Sequence, residues 1–317
     1  VNAPFLSIVV PIHNESASIP ELFGEIAESL RSWGRSYEIL AVDDGSTDDS
    51  FELMARIQAA DSRVRVVRFR RNFGQTAAFA AGFALARGEV VVTCDGDLQN
   101  DPHDIPALVA LVEQGADIAC GWRQDRKDRM LSRRVPSMAA SWIISRMTGV
   151  TLHDFGCSLK AFRVDVVKAM RLYGGMHRLL PALASERGAT IVEQVVNHRP
   201  RRFGHSKYGL GRIVPVVLDL ITIKFFLNHA GRPIRVFGTI GLASAALGAM
   251  LLGWSGWQAI AVGGGAGGAA LVTGAVLVIG GAQFMGLGLL GEMQTRTYHE
   301  AQQKPIYAIR EIRETLT

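Results

Sequence analysis

The chain alternates short apolar runs with longer amphipathic stretches. Phe5–Val10 (FLSIVV) is apolar almost throughout and stops at Pro11, the pattern of a strand buried on both faces. Ile19–Trp33 has helical spacing, and Ser18 and Glu21 before it are spaced as a capping box. Tyr37–Val42 reads as a second strand, followed by a helix to about Ala60, a third strand at Val64–Phe69 and an Ala-rich helix within Asn72–Leu85. Val90–Thr93 is a fourth strand, Pro106–Gln114 a helix and Asp117–Gly121 a fifth strand. Further on, Met138, Trp142, Ile143, Ile144 and Met147 give a helix one apolar face, while Leu159–Phe162 and Ile191–Val196 read as strands. This β-α-β-α order predicts an α/β fold: a parallel sheet covered on both faces, with its ligand crevice at the strand C-terminal ends.

Three polar loops fall at those ends: His13–Glu15, Asp43–Asp48 and Asp95–Gln99. The third is the most informative. The apolar run Val90–Thr93 leads through Cys94 into Asp95-Gly96-Asp97, so a buried strand ends in two carboxylates around a glycine. Oxygen ligands at that spacing suit Mg²⁺ or Mn²⁺, with Gln99 as a further oxygen. An Asp-Gly turn without a ligand is the other reading. No GxGxxG follows the first strand and no GxxxxGK[ST] occurs, which argues against a dinucleotide or Walker phosphate loop.

Composition changes sharply late in the chain. Between Arg235 and Glu292 there is no Asp, Glu, Lys or Arg. A bilayer crossing needs about 20 apolar residues, so the stretch predicts two spans, near Val236–Trp257 and Ala266–Gly291, broken at Gly263–Gly268. Lys224, Arg232 and Arg235 precede the spans and Arg296 and Lys304 follow them, which places both flanks in the cytoplasm. Ile213–Leu227, interrupted by Asp219 and Lys224, reads as an interfacial helix, with a third span as the alternative. A formal charge of +5 suits an anionic partner. The three cysteines (Cys94, Cys120, Cys157) have no CxxC spacing and read as buried free thiols. The N-terminal VNAPFLSIVVP reads as a strand and lacks the basic region of a signal peptide.

Two basic clusters remain. Arg123, Arg126, Lys127, Arg129, Arg133 and Arg134 lie together, as a solvated charge run or as an element facing a phosphate or an anionic membrane. In His198–Tyr208 (HRPRRFGHSKY), Arg199, Arg201, Arg202 and Lys207, with Ser206 as a further donor, are placed to close over a phosphate or to form a plain surface loop.

Five motifs in order carry a resemblance over nearly the whole chain: VVPIHNE (Val9–Glu15), DDGSTDDS (Asp43–Ser50), RNFGQTAAFAAGFALARG (Arg71–Gly88), CDGDLQNDP (Cys94–Pro102) and the RxFGxSKYG loop ending at Gly209. With the membrane hairpin and the closing segment Gly281–Tyr307, they resemble the polyprenyl-phosphate branch of the family 2 glycosyltransferases. That branch includes dolichol-phosphate mannose synthases and the bacterial undecaprenyl-phosphate glucosyl- and formamido-arabinose transferases. The resemblance implies a GT-A nucleotide-sugar domain over 1–209, an interfacial helix at 210–235, two transmembrane helices at 236–291 and a cytoplasmic tail at 292–317.

It also implies inverting transfer from a nucleotide-diphosphate sugar, UDP- or GDP-linked, to undecaprenyl phosphate or a related lipid. The setting would be the bacterial inner membrane, in cell-envelope or lipopolysaccharide modification. By that resemblance Pro11, His13, Glu15, Asp43, Asp44 and Asp95 hold the nucleotide; His13 stands where relatives often carry tyrosine. Asp95, Asp97 and Gln99 hold the metal, and Arg123 meets the acceptor phosphate with Arg126, Arg134, Ser137, Arg199, Arg202 and Ser206 around it. Lys207 closes on the diphosphate, and Asp154 orients a sugar hydroxyl or acts as a base. The implied partners are the nucleotide sugar, the polyprenyl phosphate, the bilayer and a second copy in a homo-oligomer, and not nucleic acid. A processive polysaccharide synthase would resemble a QxxRW signature, absent here. A non-catalytic membrane scaffold keeping the fold is the alternative from another class, and the intact Asp95, Asp97, Gln99 and Lys207 argue against it.

Overall fold

A computed structural model describes residues 3–124, 144–146, 148–170, 172, 176–200, 202, 233–262, 268–301 and 305–315. It divides into two units, Val1–Leu220 with Pro305–Thr317, and Ile221–Lys304.

The first unit is built on an 8-stranded sheet. Its strands are β1 (Leu6–Ile12), β2 (Tyr37–Asp43), β3 (Val64–Phe69), β4 (Val90–Thr93), β5 (Ile118–Trp122), β6 (Lys160–Arg163), β7 (Ile191–Val195) and β8 (Ile309–Arg313). Their order is β7-β5-β6-β4-β1-β2-β3-β8. The apolar runs form strands because both sheet faces are covered: β1 is buried at Leu6, Ile8, Val9 and Val10, and β2 at every position. The covering helices are α1 (Ile19–Ser29), α2 (Ser50–Ala60), α3 (Gln75–Leu85) and α4 (Ile105–Glu113). Two of them bury one stripe at helical spacing, Ile19, Leu22, Phe23 and Ile26 on α1 and Ile105, Leu108, Val109 and Val112 on α4. The Ala-rich α3 is buried almost all round, and a Cβ at Gly82 would stand 2.9 Å from Val9 Cγ2. Small residues let this helix lie close on the sheet.

The sheet is mixed, not wholly parallel. β6 runs antiparallel to both β4 and β5, and β8 antiparallel to β3. In each case the chain reaches the strand from the C-terminal edge of the parallel strands, so it can only run back down. Thr93 and Cys120 both pair with Lys160, so the 154–158 turn before β6 sits at the C-terminal edge, between the ends of β4 and β5. The stretch expected as a cytoplasmic tail at 292–317 carries structure of its own: the second apolar helix runs to Ala301, and β8 lies at the sheet edge. The capping box also differs. Ser18 Oγ donates to Glu15 O (2.9 Å) and Gly96 O (2.6 Å), and so ties the start of α1 to the DGD turn. Short helices α5 (Val164–Ala169) and α6 (Leu180–Ser185) complete the described part of this unit.

The second unit pairs α7 (Pro233–Val262) with α8 (Gly268–Ala301). Two stretches, Val236–Ala261 and Gly268–Gly291, are long and apolar enough to cross a bilayer. Their large apolar side chains point outward, Leu242 at 64% exposure and Ile260 at 87%, as they would against lipid rather than in a water-soluble core. Small residues set the helix contact: a Cβ at Gly241 would lie 2.6 Å from Gly281 O, and one at Gly274 2.9 Å from Gly248 O. Ser244 Oγ donates to Leu277 O at 2.9 Å. Ile213–Leu227, read as an interfacial helix, lies outside the described residues.

Candidate active site

The loops after β1 and β2 are stitched together by backbone donors. Asp44 N donates to Ile12 O (2.8 Å), Asn14 N to Ser46 Oγ (3.0 Å), Glu15 N to Ser50 Oγ (3.0 Å) and Thr47 N to Asn14 Oδ1 (2.8 Å). Gly45 has φ +67°, and a Cβ there would stand 2.6 Å from Asn72 N, so the turn requires glycine. Asp43 is fully buried. Its Oδ1 accepts from Ser46 N (2.9 Å), while Oδ2 accepts no hydrogen bond from the described residues. An orphaned buried acceptor of this kind suits an N–H of a planar ligand such as a nucleobase. Asp44 lies beside it, 4% exposed. Its carboxylate accepts from Phe73 N (2.7 Å) and Gly74 N (2.9 Å) and so shapes the loop before α3. Burial raises its pKa despite those bonds and the nearby His13. Pro11, His13 and Glu15 are partly buried beside this pair of loops.

The DGD turn follows β4. Asp95 N donates to Asn100 Oδ1 (3.1 Å), Gln75 Nε2 to Asp95 Oδ1 (2.7 Å), and Gln99 N to Asp97 Oδ1 (3.1 Å). A Cβ at Gly96 would lie 2.6 Å from Ile12 Cδ1 and 3.1 Å from Pro11 O, so the turn packs closely on β1. Burial, then the neighbouring Asp97 charge, raises the pKa of Asp95 to about 6. A divalent cation would offset that repulsion. Among the described residues no three His, Cys, Asp or Glu side chains gather into a metal cluster. A cation on Asp95, Asp97 and Gln99 would therefore complete its shell from a ligand, as Mg²⁺ does with one or two carboxylates and substrate phosphates.

Arg123 leaves the end of β5 and meets the 154–158 turn. Its Nε donates to Asp154 Oδ2 (2.7 Å) and its Nη2 to Asp154 Oδ1 (3.0 Å), a forked pair. Burial works to lower the arginine's pKa, but the Asp154 bond and the surrounding anions, Asp95 among them, raise it overall. Asp154 thus anchors Arg123. Gly156 leaves room for the guanidinium, since a Cβ there would lie 3.2 Å from Nη2.

Sequence reasoning missed the supports of this turn. Lys160, 2% exposed, donates to Phe155 O (3.3 Å) and to Cys157 O. Glu193 Oε1 accepts from His153 N (2.8 Å) and Asp154 N (3.3 Å). A cavity of ≈ 90 Å³ opens beside Asp95, walled by Gln75, Thr93, Ser158, Lys160 and His177 among others. Gln75 stood inside a quoted motif, and its place at the start of a helix facing the DGD strand was the available signal.

The second basic cluster divides. Arg199 Nη1 forks onto Glu25 (2.8 and 2.7 Å) and its Nη2 meets Asp101 at 2.8 Å. Arg202 pairs with Glu21. Both side chains moor the segment to α1 and the DGD loop. Burial works to raise the pKa of Asp101, yet bonds from Asn197, His103 and Arg199 bring it down to about 2. Arg126, Arg134, Ser137, Ser206 and Lys207 lie outside the described residues.

Paired carboxylates at the end of β4, a buried acceptor at the end of β2 and an arginine held at the end of β5 thus lie at one edge of the sheet. The family model for glycosyl transferase family 2 matches residues 7–171, and the chain belongs to that family. It is 41% identical over 97% of its length to a dodecaprenyl-phosphate galacturonate synthase of Rhizobium johnstonii, covering 92% of that protein. It is 38% identical over 97% of its length to an undecaprenyl-phosphate 4-deoxy-4-formamido-L-arabinose transferase of Pseudomonas syringae, covering 90% of it. Among solved structures, glucosyl-3-phosphoglycerate synthase of Mycobacterium tuberculosis with Mn²⁺ and UDP-glucose superposes with TM-score 0.53 at 20% identity, over 71% of this chain and 79% of that one. That likeness shows the GT-A fold. The protein is a glycosyltransferase.

Proposed function

We propose that this glycosyltransferase moves a sugar, with inversion, from a nucleotide-diphosphate sugar to a polyprenyl phosphate at the cytoplasmic face of a bacterial inner membrane. The donor class is UDP-linked and the acceptor undecaprenyl phosphate or a close relative. The observation that carries this reading is the Asp95–Asp97 pair beside an Arg123 locked by Asp154, with the Arg123 and Asp95 charges acting on each other. The acceptors in the relatives' names and the Mn²⁺ and UDP-glucose of the fold-mate support the substrate classes.

Asp95, Asp97 and Gln99 would hold Mg²⁺ or Mn²⁺, which when bound neutralises charge on the departing diphosphate. Asp43 Oδ2 accepts from the nucleobase. Arg123, with Arg126, Arg134 and Ser137 in the same role, binds the lipid phosphate and aligns it for attack on the anomeric carbon. That nucleophile is already an anion, so no residue has to deprotonate it, which agrees with Asp154 being spent on Arg123. Ser206 and Lys207 close over the diphosphate.

The membrane topology has its own support. β8 pairs with β3, so an even number of crossings separates them. The two apolar helices supply two, and a lone third crossing at 213–227 would put β8 across the bilayer from its own sheet. Assembly as a homo-oligomer belongs to the same proposal and is read by light scattering in detergent.

The test is a transfer assay in detergent with undecaprenyl phosphate, Mg²⁺ or Mn²⁺ and a panel of UDP- and GDP-sugars, with Asp97→Ala as control. A metal-dependent lipid-linked product from one donor, absent in the variant, is expected. A wild-type protein that binds neither nucleotide nor metal would overturn the reading and leave the scaffold.

A further inference from the structure

The segment after the second apolar helix returns to the sheet beside the nucleoside half of the site. It lays two lines of contact there. The first is ionic. Arg68, at the end of β3, stacks on the Phe51 ring with its guanidinium carbon 3.9 Å from the ring centre. Its Nε lies 3.6 Å from Asp43 Oδ2, and its Nη1 lies 3.6 Å from Glu311 Oε1 on β8. Both distances exceed hydrogen-bond range. Arg68 therefore orients the buried Asp43 carboxylate without occupying Oδ2, which stays open as an acceptor.

The second line is aromatic. Tyr307 stacks on Phe69, with ring centres 5.2 Å apart and planes 9° from parallel, and Phe69 meets Phe73 edge-on at 5.8 Å. Phe73 N is one of the two donors that hold Asp44. Arg70 N also donates to Ala308 O at 3.0 Å, so backbone as well as rings join the returning segment to the loop after β3. Two adjacent carboxylates, Asp43 and Asp44, are thus braced by residues more than 260 positions away in the chain, through Arg68 and Phe73.

We propose that the 305–315 segment is a structural part of the donor site: Arg68, Tyr307 and Glu311 are positioning residues that preset Asp43 and Asp44 for the nucleoside. The inference rests on the reading of Asp43 as the nucleobase acceptor. It assigns nucleotide affinity in part to the piece of chain that follows the membrane hairpin. The chemistry they serve is recognition of a nucleoside diphosphate, and their influence falls on donor binding rather than on the acceptor phosphate at Arg123.

The test uses the full chain in detergent, with UDP and Mg²⁺ as the calorimetric probe and both Michaelis constants measured alongside. Tyr307→Ala and Arg68→Met raise the UDP Kd by about 3- to 10-fold, the range expected when an aromatic or cation–π contact is lost. Tyr307→Phe restores the wild-type value, because the stack needs the ring and not the hydroxyl. Arg310→Ala, at an exposed position of β8, leaves it unchanged. The acceptor KM and the kcat at saturating donor stay within about twofold in all variants, within the scatter of mutational energies.

If Tyr307→Ala fails to fold, Glu311→Gln carries the test and should raise the UDP Kd, since Glu311 is one-third exposed and the change keeps its shape. Folded variants with wild-type UDP affinity, or donor and acceptor constants that worsen together, overturn the proposal while the transferase reading stands. A wild-type protein that binds no nucleotide overturns both.

Discussion

Asp154→Asn separates the anchoring role from a proton-transfer role. The wild-type carboxylate receives two charge-assisted bonds from Arg123, at 2.7 and 3.0 Å, with side-chain exposures of 12% for Arg123 and 4% for Asp154. It also accepts Gly156 N at 3.1 Å. Asparagine keeps the shape and one oxygen, so Gly156 and one guanidinium bond survive. The other oxygen becomes an NH₂ facing an N–H, and the ion pair is gone. A hydrogen bond to a charged group is worth about 1.5–3 kcal/mol. At about 1.4 kcal/mol per factor of ten, that is a loss of roughly 10- to 100-fold in kcat/KM for the polyprenyl phosphate. The donor KM should hold within about twofold, because Asp43 and the DGD turn are untouched. The assay is steady-state transfer with each substrate varied in turn, across pH 6 to 9. Arg123→Lys should give a similar acceptor-side loss, since an ammonium cannot make the fork. The reasoning is refuted if Asp154→Asn lowers kcat with the acceptor KM intact, abolishes a rising limb of the wild-type pH–rate profile, and Arg123→Lys is benign. That pattern would make Asp154 a base.

Three further outcomes follow from the geometry. Gly45→Ala places a Cβ 2.6 Å from Asn72 N at φ +67°; the left-handed conformation alone costs about 1–2 kcal/mol, so stability should fall by at least about 1 kcal/mol in denaturant unfolding, and an unchanged midpoint would contradict the geometry. Arg65→Met removes the cation from the buried Glu38, both residues being 5% exposed, and should cost about 3–5 kcal/mol in denaturant unfolding; a loss under about 1 kcal/mol would show the network to be dispensable. The three thiols are buried, and burial chiefly pushes all three up, Cys120 to about 12. A thiol reagent at pH 8 should therefore react with none of them in the folded protein and with all three after denaturation; prompt reaction of the native protein would contradict the packing.

The alternation of strands and helices was legible because strands covered on both faces leave unbroken apolar runs, as Leu6–Ile12 and Tyr37–Asp43 do. The DGD turn and the uncharged hairpin were legible for similar local reasons. What escaped was set by partners far off in the chain. Nothing in IREIR at Ile309–Arg313 separates an edge strand from a solvated tail, since charge on an edge is what discourages stray pairing. Only its register against Val66–Phe69 makes it a strand. Arg199 sat in a basic cluster and invited a phosphate, yet its counter-charges, Glu25 and Asp101, lie 174 and 98 positions earlier. Asp154 looked like a free carboxylate because the antiparallel insertion of β6, which carries it to Arg123, has no local signature.

The polar groups buried at the two ends of the sheet are treated differently. At the strand N-terminal end, Glu38 accepts from Ser7 Oγ (2.6 Å), Arg65 Nη1 (2.7 Å) and Arg87 N (2.8 Å), while Arg65 Nε (2.7 Å) and Arg87 Nη2 (2.9 Å) share Glu314. Every charge there has its partner, and Gly88 N closes the set on Ser7 Oγ at 2.8 Å. At the opposite end Asp43 keeps an acceptor that no described donor fills, and Asp95 sits beside Asp97 with its pKa raised to about 6. Leaving a buried acceptor such as Asp43 Oδ2 uncompensated costs about 1–3 kcal/mol, and a fold tolerates that where a ligand restores the partner. Glu314 and Glu311 lie on one short C-terminal segment, the first closing the satisfied network and the second facing the arginine that orients the open acceptor. One strand thereby holds the sheet edge together at one end and presets it for the nucleoside at the other. Loss of the Glu314 contacts should then lower stability with nucleotide affinity retained, and loss of the Glu311 contact the reverse.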